Sequence, residues 1–188
     1  MNLIIFGPPG AGKGTQSTFI ARKYNLFQLS TGEILRDQIK EKTNLGNKIA
    51  PIINSGAFVP DEIVSELIER ILKEKKYNNR VIFDGYPRSL SQAKNLEYLL
   101  KKYKQKIDLV LKLSVSLETV IKRIIKRKNL EERPDDNEQI AIKRYKTYEK
   151  STEPVIEHYK KLNLLKVING EKPINQINKE ISDIISLI

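Results

Sequence analysis

A glycine-rich loop that ends in a lysine lies near the start of the chain, from Gly7 to Thr15, directly after an apolar run, Leu3 to Phe6. Glycine lets the backbone bend so that several N–H groups point at one anion, and Lys13 can reach the outer phosphates of a nucleotide. A helix that begins here adds the positive end of its dipole. The loop therefore predicts a binding site for a nucleoside triphosphate.

The residue after the loop lysine departs from the commonest form of this motif. That position usually carries Ser or Thr, but here it is Gly14, and the hydroxyl arrives one residue later as Thr15. In switch GTPases and motor ATPases this hydroxyl binds Mg²⁺, so the sequence argues against those classes. It favours a site in which Mg²⁺ is held mainly by nucleotide oxygens and water.

Acidic and basic residues at the ends of predicted strands indicate a second anion site. Asp84 follows the apolar run Val81 to Phe83 and is placed to hold water on Mg²⁺, while Arg88 follows a rigid turn and can form a two-pronged contact with a phosphate. After the second predicted strand, 27–29, Ser30 and Glu33 have the spacing of a capping box, which predicts a helix start that carries Arg36.

Further arginines lie at the ends of predicted elements. Arg123 and Arg127 share one helix face, Arg133 lies in a polar segment, and Arg144 lies in the helix that follows. Fixed guanidinium groups stabilise the charge that develops during phosphoryl transfer. No histidine, cysteine or isolated carboxylate is placed as a general base, which favours a phosphate group, already anionic, as the acceptor.

Alternation of short apolar runs with amphipathic helical patterns predicts an α/β fold with a parallel sheet covered by helices. The predicted strands are 3–6, 27–29, 81–83, 109–113 and 165–168, and Asp61 behind Pro60 is expected to cap a helix. We predict one domain with a core (1–29, 60–127, 138–188), a helical insertion (30–59) and a short mobile lid (128–137). We find no linker to a second domain.

Composition narrows the function further. The chain of 188 residues has no cysteine, which excludes disulfides and a thiolate zinc site, and no apolar stretch approaches the roughly 20 residues of a membrane span. The start lacks the basic region of a signal peptide, so we expect a cytoplasmic protein without a membrane partner. The net charge of +11 is spread along the chain, so we expect it to steer nucleotides rather than to bind nucleic acid.

The motifs together resemble those of adenylate kinases, over nearly the whole chain. They are Gly7-Pro-Pro-Gly-Ala-Gly-Lys-Gly-Thr-Gln16, Leu29-Ser-Thr-Gly-Glu-Ile-Leu-Arg36, Phe83-Asp-Gly-Tyr-Pro-Arg88 with Gln92, and Arg133-Pro-Asp-Asp-Asn137. The resemblance implies a phosphate-loop (P-loop NTPase) fold of five parallel strands sandwiched by helices. It also implies a phosphotransferase that converts MgATP and AMP into two ADP, with Mg²⁺ bound to ATP and an AMP-binding insertion.

The resemblance also implies roles for individual residues. Lys13, Arg88, Arg123, Arg133 and Arg144 would be catalytic, and Asp84 would organise the water shell of Mg²⁺. ATP would be bound by Gly10, Ala11, Gly12, Lys13, Gly14, Thr15, Arg127 and Lys172. AMP would be bound by Thr31, Gly32, Arg36, Ala57, Phe58, Val59, Gly85, Tyr86, Pro87, Arg88, Gln92, Arg133 and Arg144.

Two alternatives remain open on the sequence. UMP/CMP kinases share the loop and the short lid, but they tend to have Ala where this chain has Thr31 and Asn where it has Gln92, so we favour AMP. A nucleotide-dependent ATPase that binds nucleic acid is a more distant alternative. We expect a monomer with the short lid, without the zinc that long lids often bind.

Overall fold

The computed structural model describes residues 1–131 and 136–188 of the chain. Five strands form one sheet: β1 (Leu3–Phe6), β2 (Phe27–Ser30), β3 (Val81–Asp84), β4 (Leu109–Ser114) and β5 (Leu165–Asn169). All neighbours are parallel, in the order β2-β3-β1-β4-β5. Each predicted strand is present with its ends within one residue of the prediction, and the predicted fold class is confirmed.

Helices connect the strands. They are α1 (Lys13–Tyr24), α2 (Thr31–Lys40), α3 (Asn44–Asn54), α4 (Asp61–Leu72), α5 (Leu90–Lys102), α6 (Leu117–Glu131), α7 (Glu138–Lys161) and α8 (Ile174–Ile185), with a 3₁₀ turn at Lys75–Tyr77. Helices α2 and α3 both precede α4 and the return of the chain to the sheet. Helix α6 runs on through Glu131, so the first residues of the predicted lid, 128–131, are helical.

Alternate residues of the central strand face opposite sides of the sheet, and this alternation produces two hydrophobic cores. Ile4 and Phe6 of β1 belong to the core covered by α4, α5 and α7. Leu3 and Ile5 belong to the core covered by α1, α6 and α8. Because every residue of β1 is buried, the loop that follows it starts from a fixed position in the middle of the molecule.

Polar side chains begin several helices, although not at the two sites that the sequence suggested. Thr43, Ser89 and Asn137 accept backbone N–H bonds at the starts of α3, α5 and α7. The predicted capping box at Ser30 does not form, since the Ser30 side chain makes no capping bond although α2 begins where expected. The prediction for Asp61 was wrong: Pro60 is the N-cap of α4, and the Asp61 carboxylate accepts bonds from α5 and the residue before it.

Within the described residues, no helix combines the length and apolar character needed to cross a membrane.

Candidate active site

The glycine-rich loop joins β1 to α1 and closes around the side chain of its own lysine. Gly12, with φ +92°, is the N-cap of α1, so the helix begins at Lys13. The Lys13 ammonium donates to the carbonyl oxygens of Gly7 (2.8 Å) and Pro8 (3.1 Å) on the opposite side of the loop. The loop thus holds one cation at its centre while the first N–H groups of α1 stay available for an anion.

Burial and neighbouring cations lower the pKa of this lysine. Burial lowers the pKa of Lys13 from 10.5 to about 8, an effect that Asp84 opposes and that Arg88, Arg144 and Arg127 reinforce. An anion in the loop would relieve this excess of positive charge and hold the lysine in its charged form. The electrostatics therefore favour an anionic ligand beside Lys13.

Asp84 lies at the carboxyl end of β3, next to β1, and is almost fully buried. Its Oδ2 atom lies 3.5 Å from the Gln28 amide nitrogen on β2, and Gln28 in turn accepts a bond of 3.0 Å from the Thr18 hydroxyl on α1. A β-carbon added to Gly14 would meet the same Oδ2 atom at 3.9 Å, so the carboxylate faces the start of α1. Gln28 and Thr18 were not predicted as site residues.

Arg88 is held on the far side of Lys13 by contacts from three segments. Its Nε atom donates to the Gly85 carbonyl oxygen at 2.6 Å, its guanidinium carbon lies 5.0 Å from the centre of the Phe58 ring, and its own carbonyl accepts from Thr152 at 3.3 Å. Burial, with Arg144 as the next cause, lowers the pKa of Arg88 to about 10. The guanidinium stays charged at neutral pH, in surroundings that favour an anion beside it.

Arg88 and Thr31 both approach the backbone of Gly85 closely, and this position requires a glycine. Its φ of +81° is unfavourable for other residues, and an added β-carbon would come within 3.0 Å of an Arg88 nitrogen and 3.2 Å of the Thr31 hydroxyl. The Thr31 hydroxyl donates to the Gly85 carbonyl at 3.2 Å. The absence of a side chain at Gly85 therefore lets the start of α2 and Arg88 pack close to each other.

Two arginines of α6 approach the loop from the other side. Arg123 donates to the carbonyl oxygens of Gly170 (2.9 Å) and Ala11 (3.3 Å), so it joins the β5–α8 connection to the phosphate loop. Arg127 forms a two-pronged pair with Asp136 at 2.6 and 2.5 Å, and the Asp136 side chain is fully buried. Asp136 was not predicted as a site residue.

Two neighbouring cavities share several of these charged side chains. The first, the loop cavity, is lined by residues 9–16 together with Asp84, Arg123, Arg127 and Lys172. This lining includes every residue predicted to bind ATP. The second, the insertion cavity, is lined by Thr31, Gly32, Arg36, residues 56–59, Gly85, Pro87, Arg88, Gln92 and Arg144. Both cavities are lined by Lys13, Arg36, Arg88 and Arg144.

Two predicted residues do not join the others in these cavities. Tyr86 lines neither cavity, because its side chain is buried and its hydroxyl donates to the Gln92 carbonyl at 3.2 Å. Arg133 lies outside the described residues.

Several lining residues carried no signal in the sequence. Apolar Leu35, Ile53 and Val64, with Tyr148 and Thr152, line the insertion cavity, and Ile174 and Ile177 line the loop cavity. They occupy positions of ordinary helical patterns, where a side chain that covers the core cannot be told from one that lines a cavity.

Comparison with known proteins assigns this arrangement to a family. The family model described as "Adenylate kinase" matches residues 5–164. The chain is similar to the adenylate kinase of Pelagibacter ubique, with 44% identity over 213 aligned positions that cover 100% of both chains. It is 41% identical to the adenylate kinase of Azobacteroides pseudotrichonymphae over 181 positions, covering 96% of this chain and 95% of that one.

A third relative, the adenylate kinase of Petrotoga mobilis, is 37% identical over 212 positions, which cover 98% of this chain and 97% of the relative. The Pelagibacter alignment is longer than the 188 residues of this chain, so that relative carries inserted residues, whereas the Azobacteroides alignment is shorter. None of these names favours the UMP/CMP kinase alternative. The predicted family, and with it the class of phosphotransferase, is confirmed: the chain belongs to the adenylate kinase family.

Proposed function

We propose that this chain transfers the terminal phosphoryl group of ATP to AMP and forms two ADP, with ATP in the loop cavity and AMP in the insertion cavity. The observation that carries the proposal is that Lys13, Arg88 and Arg144 line both cavities. Cations at this junction would contact the group that moves from one nucleotide to the other. The family of the chain supports the same reaction.

On the ATP side, the backbone from Gly10 to Thr15 would hold the phosphates, with Lys13 on the transferred group. Arg127 and Lys172 would flank the adenine, where Ile174 and Ile177 supply apolar surface. Arg123 already joins the loop to the segment that contains Lys172, through its bonds to Ala11 and Gly170. The phosphate and base ends of the site would therefore be held at a fixed separation.

On the AMP side, Arg36, Arg88 and Arg144 would bind the phosphate, since they lie where the insertion cavity meets the loop cavity. The apolar side chains of Leu35, Ile53 and Val64 would surround the base. Thr31 and Gln92 would supply the polar groups that read the edge of adenine. Apolar walls with a few directed polar groups are the usual composition of a specific small-molecule site.

Mg²⁺ bound to ATP is the cofactor that the family implies, and Asp84 fits a role in its water shell. The buried carboxylate faces the start of α1, and its charge interacts with that of Lys13. When bound, Mg²⁺ would neutralise phosphate charge and orient the donor. The described residues hold no group of three or more acidic or histidine ligands, so the protein would contact this metal mainly through Asp84 and water.

The acceptor phosphate of AMP needs no general base, because it is anionic at neutral pH. The residues of this chain would act by placing the two nucleotides in line and by stabilising the charge spread over the transferred group. Arg123, Arg133 and Arg144 would gather around that group. The insertion (30–59) and the lid (128–137) would close over both nucleotides and exclude water that would otherwise hydrolyse ATP.

A coupled assay of ADP formation with MgATP and each of AMP, CMP, UMP and GMP tests the proposal. We expect kcat/KM to be highest with AMP, and we expect no ADP without a monophosphate. Faster turnover with CMP or UMP would show that the chain is a UMP/CMP kinase.

Diadenosine pentaphosphate joins two adenosines through five phosphates and should occupy both cavities at once. A structure of its complex tests this expectation, and an empty insertion cavity in that complex would contradict the assignment.

We propose further that the enzyme acts as a monomer in the cytoplasm. Both cavities are lined by residues of one chain, so the reaction requires no second copy. Light scattering during gel filtration should give a mass near 21.7 kDa. A stable dimer at micromolar concentration would contradict the monomer.

A further inference from the structure

The carboxylate of Asp61, in the first turn of α4, lies behind the amide of Gln92 in the first turn of α5. Gln92 Nε2 donates to Asp61 Oδ1 at 2.6 Å. The other carboxylate oxygen accepts from the hydroxyls of Ser91 (2.6 Å) and Ser89 (3.3 Å). Both oxygens of Asp61 are thus used to join the start of α4 to the start of α5, and one of them contacts a residue that lines the insertion cavity.

The amide of Gln92 is fixed at its oxygen as well. The backbone N–H of Arg88 donates to Gln92 Oε1 at 2.7 Å. If the amide turned over, its NH₂ group would face the Arg88 N–H and its oxygen would face the Asp61 carboxylate. Two donors and two acceptors would then oppose each other, so only one orientation of the amide is compatible with its surroundings.

This orientation leaves one lone pair on the amide oxygen and one N–H free for a ligand. The Watson–Crick edge of adenine offers an amino donor and a ring-nitrogen acceptor at N1, whereas that of hypoxanthine offers a carbonyl acceptor and an N1–H donor at the same places. A planar amide pairs with both atoms of only one such edge in a given orientation. Whatever fixes the amide therefore decides which of the two bases it can pair with.

We propose that Asp61 is a positioning residue that sets base selectivity, by holding the Gln92 amide in the orientation that pairs with adenine and not with a 6-oxopurine. The inference rests on the proposed function, because it takes AMP as the ligand of the insertion cavity. Asp61 does not line that cavity and would act only through Gln92. Its charge makes the reversed amide more unfavourable than a neutral neighbour would.

A purely structural role for Asp61 has a different consequence. A negative side chain in the first turn of a helix is stabilising whatever it bonds to, and Glu62 occupies the same turn. Loss of that effect would lower stability and reduce turnover of every monophosphate alike. The two roles therefore differ in the ratio of AMP to IMP turnover, because AMP and IMP differ only at the edge of the base.

The test measures kcat and KM with AMP and with IMP, at saturating MgATP, for the unchanged chain, Asp61→Asn and Asp61→Ala. We expect the ratio of kcat/KM for AMP to that for IMP to fall by about tenfold in Asp61→Ala, the size of effect typical of one charge-assisted bond. Asp61→Asn should lower the ratio less, because its side-chain oxygen can still accept a bond from the Gln92 amide. The loss for AMP should lie mainly in KM, because the charges at the junction of the cavities are unchanged. Ser91→Ala is the matched control, since it removes an equally short bond to Asp61 without touching Gln92.

A thermal melt accompanies each variant. If Asp61→Ala leaves the ratio of AMP to IMP turnover unchanged in a folded protein, the positioning role is wrong. If Ser91→Ala lowers the ratio as much as Asp61→Ala does, the effect belongs to the junction of α4 and α5 rather than to the amide, and the inference also fails. If the unchanged chain makes no ADP from AMP, the proposed function itself has failed, and that outcome is distinct from the other two.

Discussion

The loop cavity and the insertion cavity offer a ligand different kinds of groups. The groups that we propose for phosphate binding in the loop cavity come from one unbroken stretch, residues 9–16, and most of them are backbone N–H groups at glycines and at the start of α1. The insertion cavity collects side chains from α2, the segment after β3, α5 and α7. One site is determined by local backbone conformation, and the other depends on packing between distant elements.

This difference predicts where substitutions act. In the loop cavity, removal of a side chain should matter less than a change in backbone freedom, apart from Lys13. In the insertion cavity, the loss of one guanidinium should remove binding that no neighbouring group replaces. Substitutions in the two cavities therefore test this comparison. We expect the largest loss of activity where the two cavities meet.

Arg88→Ala should lower kcat by about 10³-fold, because the arginine lies at the junction of the cavities and its charge would stabilise the transferred group. Arg80→Ala is the matched control: Arg80 precedes β3 as Arg88 follows it, and it donates to the Asn25 carbonyl at the opposite edge of the sheet. Arg80→Ala should keep its turnover. Steady-state rates with a thermal melt check both, and near-normal turnover of Arg88→Ala would remove that residue from the site.

Gly10→Ala should destabilise the protein by about 3 kcal/mol, from a left-handed backbone and a clash. Gly10 has φ +79°, and an added β-carbon would lie 3.2 Å from the Val120 carbonyl and 3.1 Å from Ile124. Gly12→Ala has the same backbone penalty with no atom within 4 Å, so it should cost about 1 kcal/mol. Urea unfolding of the two variants measures the difference, and equal losses would show that packing of the loop against α6 is unimportant.

The same contrast explains how much the sequence could predict. The phosphate loop is contiguous, so its residues predicted the ligand class, the end of β1 and the start of α1. Arg88 could be predicted because it follows a strand that had to end at the ligand edge of a parallel sheet. Asp61 could not: its position behind a proline predicted a helix cap, whereas its partner Gln92 is 31 residues away.

Tyr86 illustrates a second limit. It lies within a motif whose neighbours line the insertion cavity, and yet its side chain turns into the core. A motif fixes the path of the backbone, whereas the direction of each side chain depends on the helices packed above it. The same reason kept Gln28 from being predicted, because a half-buried position in a short edge strand does not reveal contact with Asp84.

Asp136→Asn should lower stability by about 2 kcal/mol and raise the KM for ATP, because it removes the charge of the fully buried Asp136 carboxylate and weakens its two-pronged bond to Arg127. Glu138→Gln, which changes an exposed acid two residues further along, is the control. Urea unfolding and initial rates separate the two effects. An unchanged KM for ATP in the folded variant would show that Arg127 does not contact the bound nucleotide.

The smallest expected effect is a pH dependence of ATP binding. With its pKa lowered to about 8 by burial, Lys13 in the free protein loses its proton as the pH rises through 8, whereas bound triphosphate favours the charged form. ATP binding above that pH must therefore take up a proton, and the KM for ATP should rise by up to about tenfold per pH unit between pH 8.5 and 9.5. Calorimetric titration in two buffers of different ionisation enthalpy measures the proton uptake directly. The KM for AMP should change much less, because the pKa of Arg88, about 10, lies above this range. A parallel rise of both KM values would mean that one titration controls both cavities.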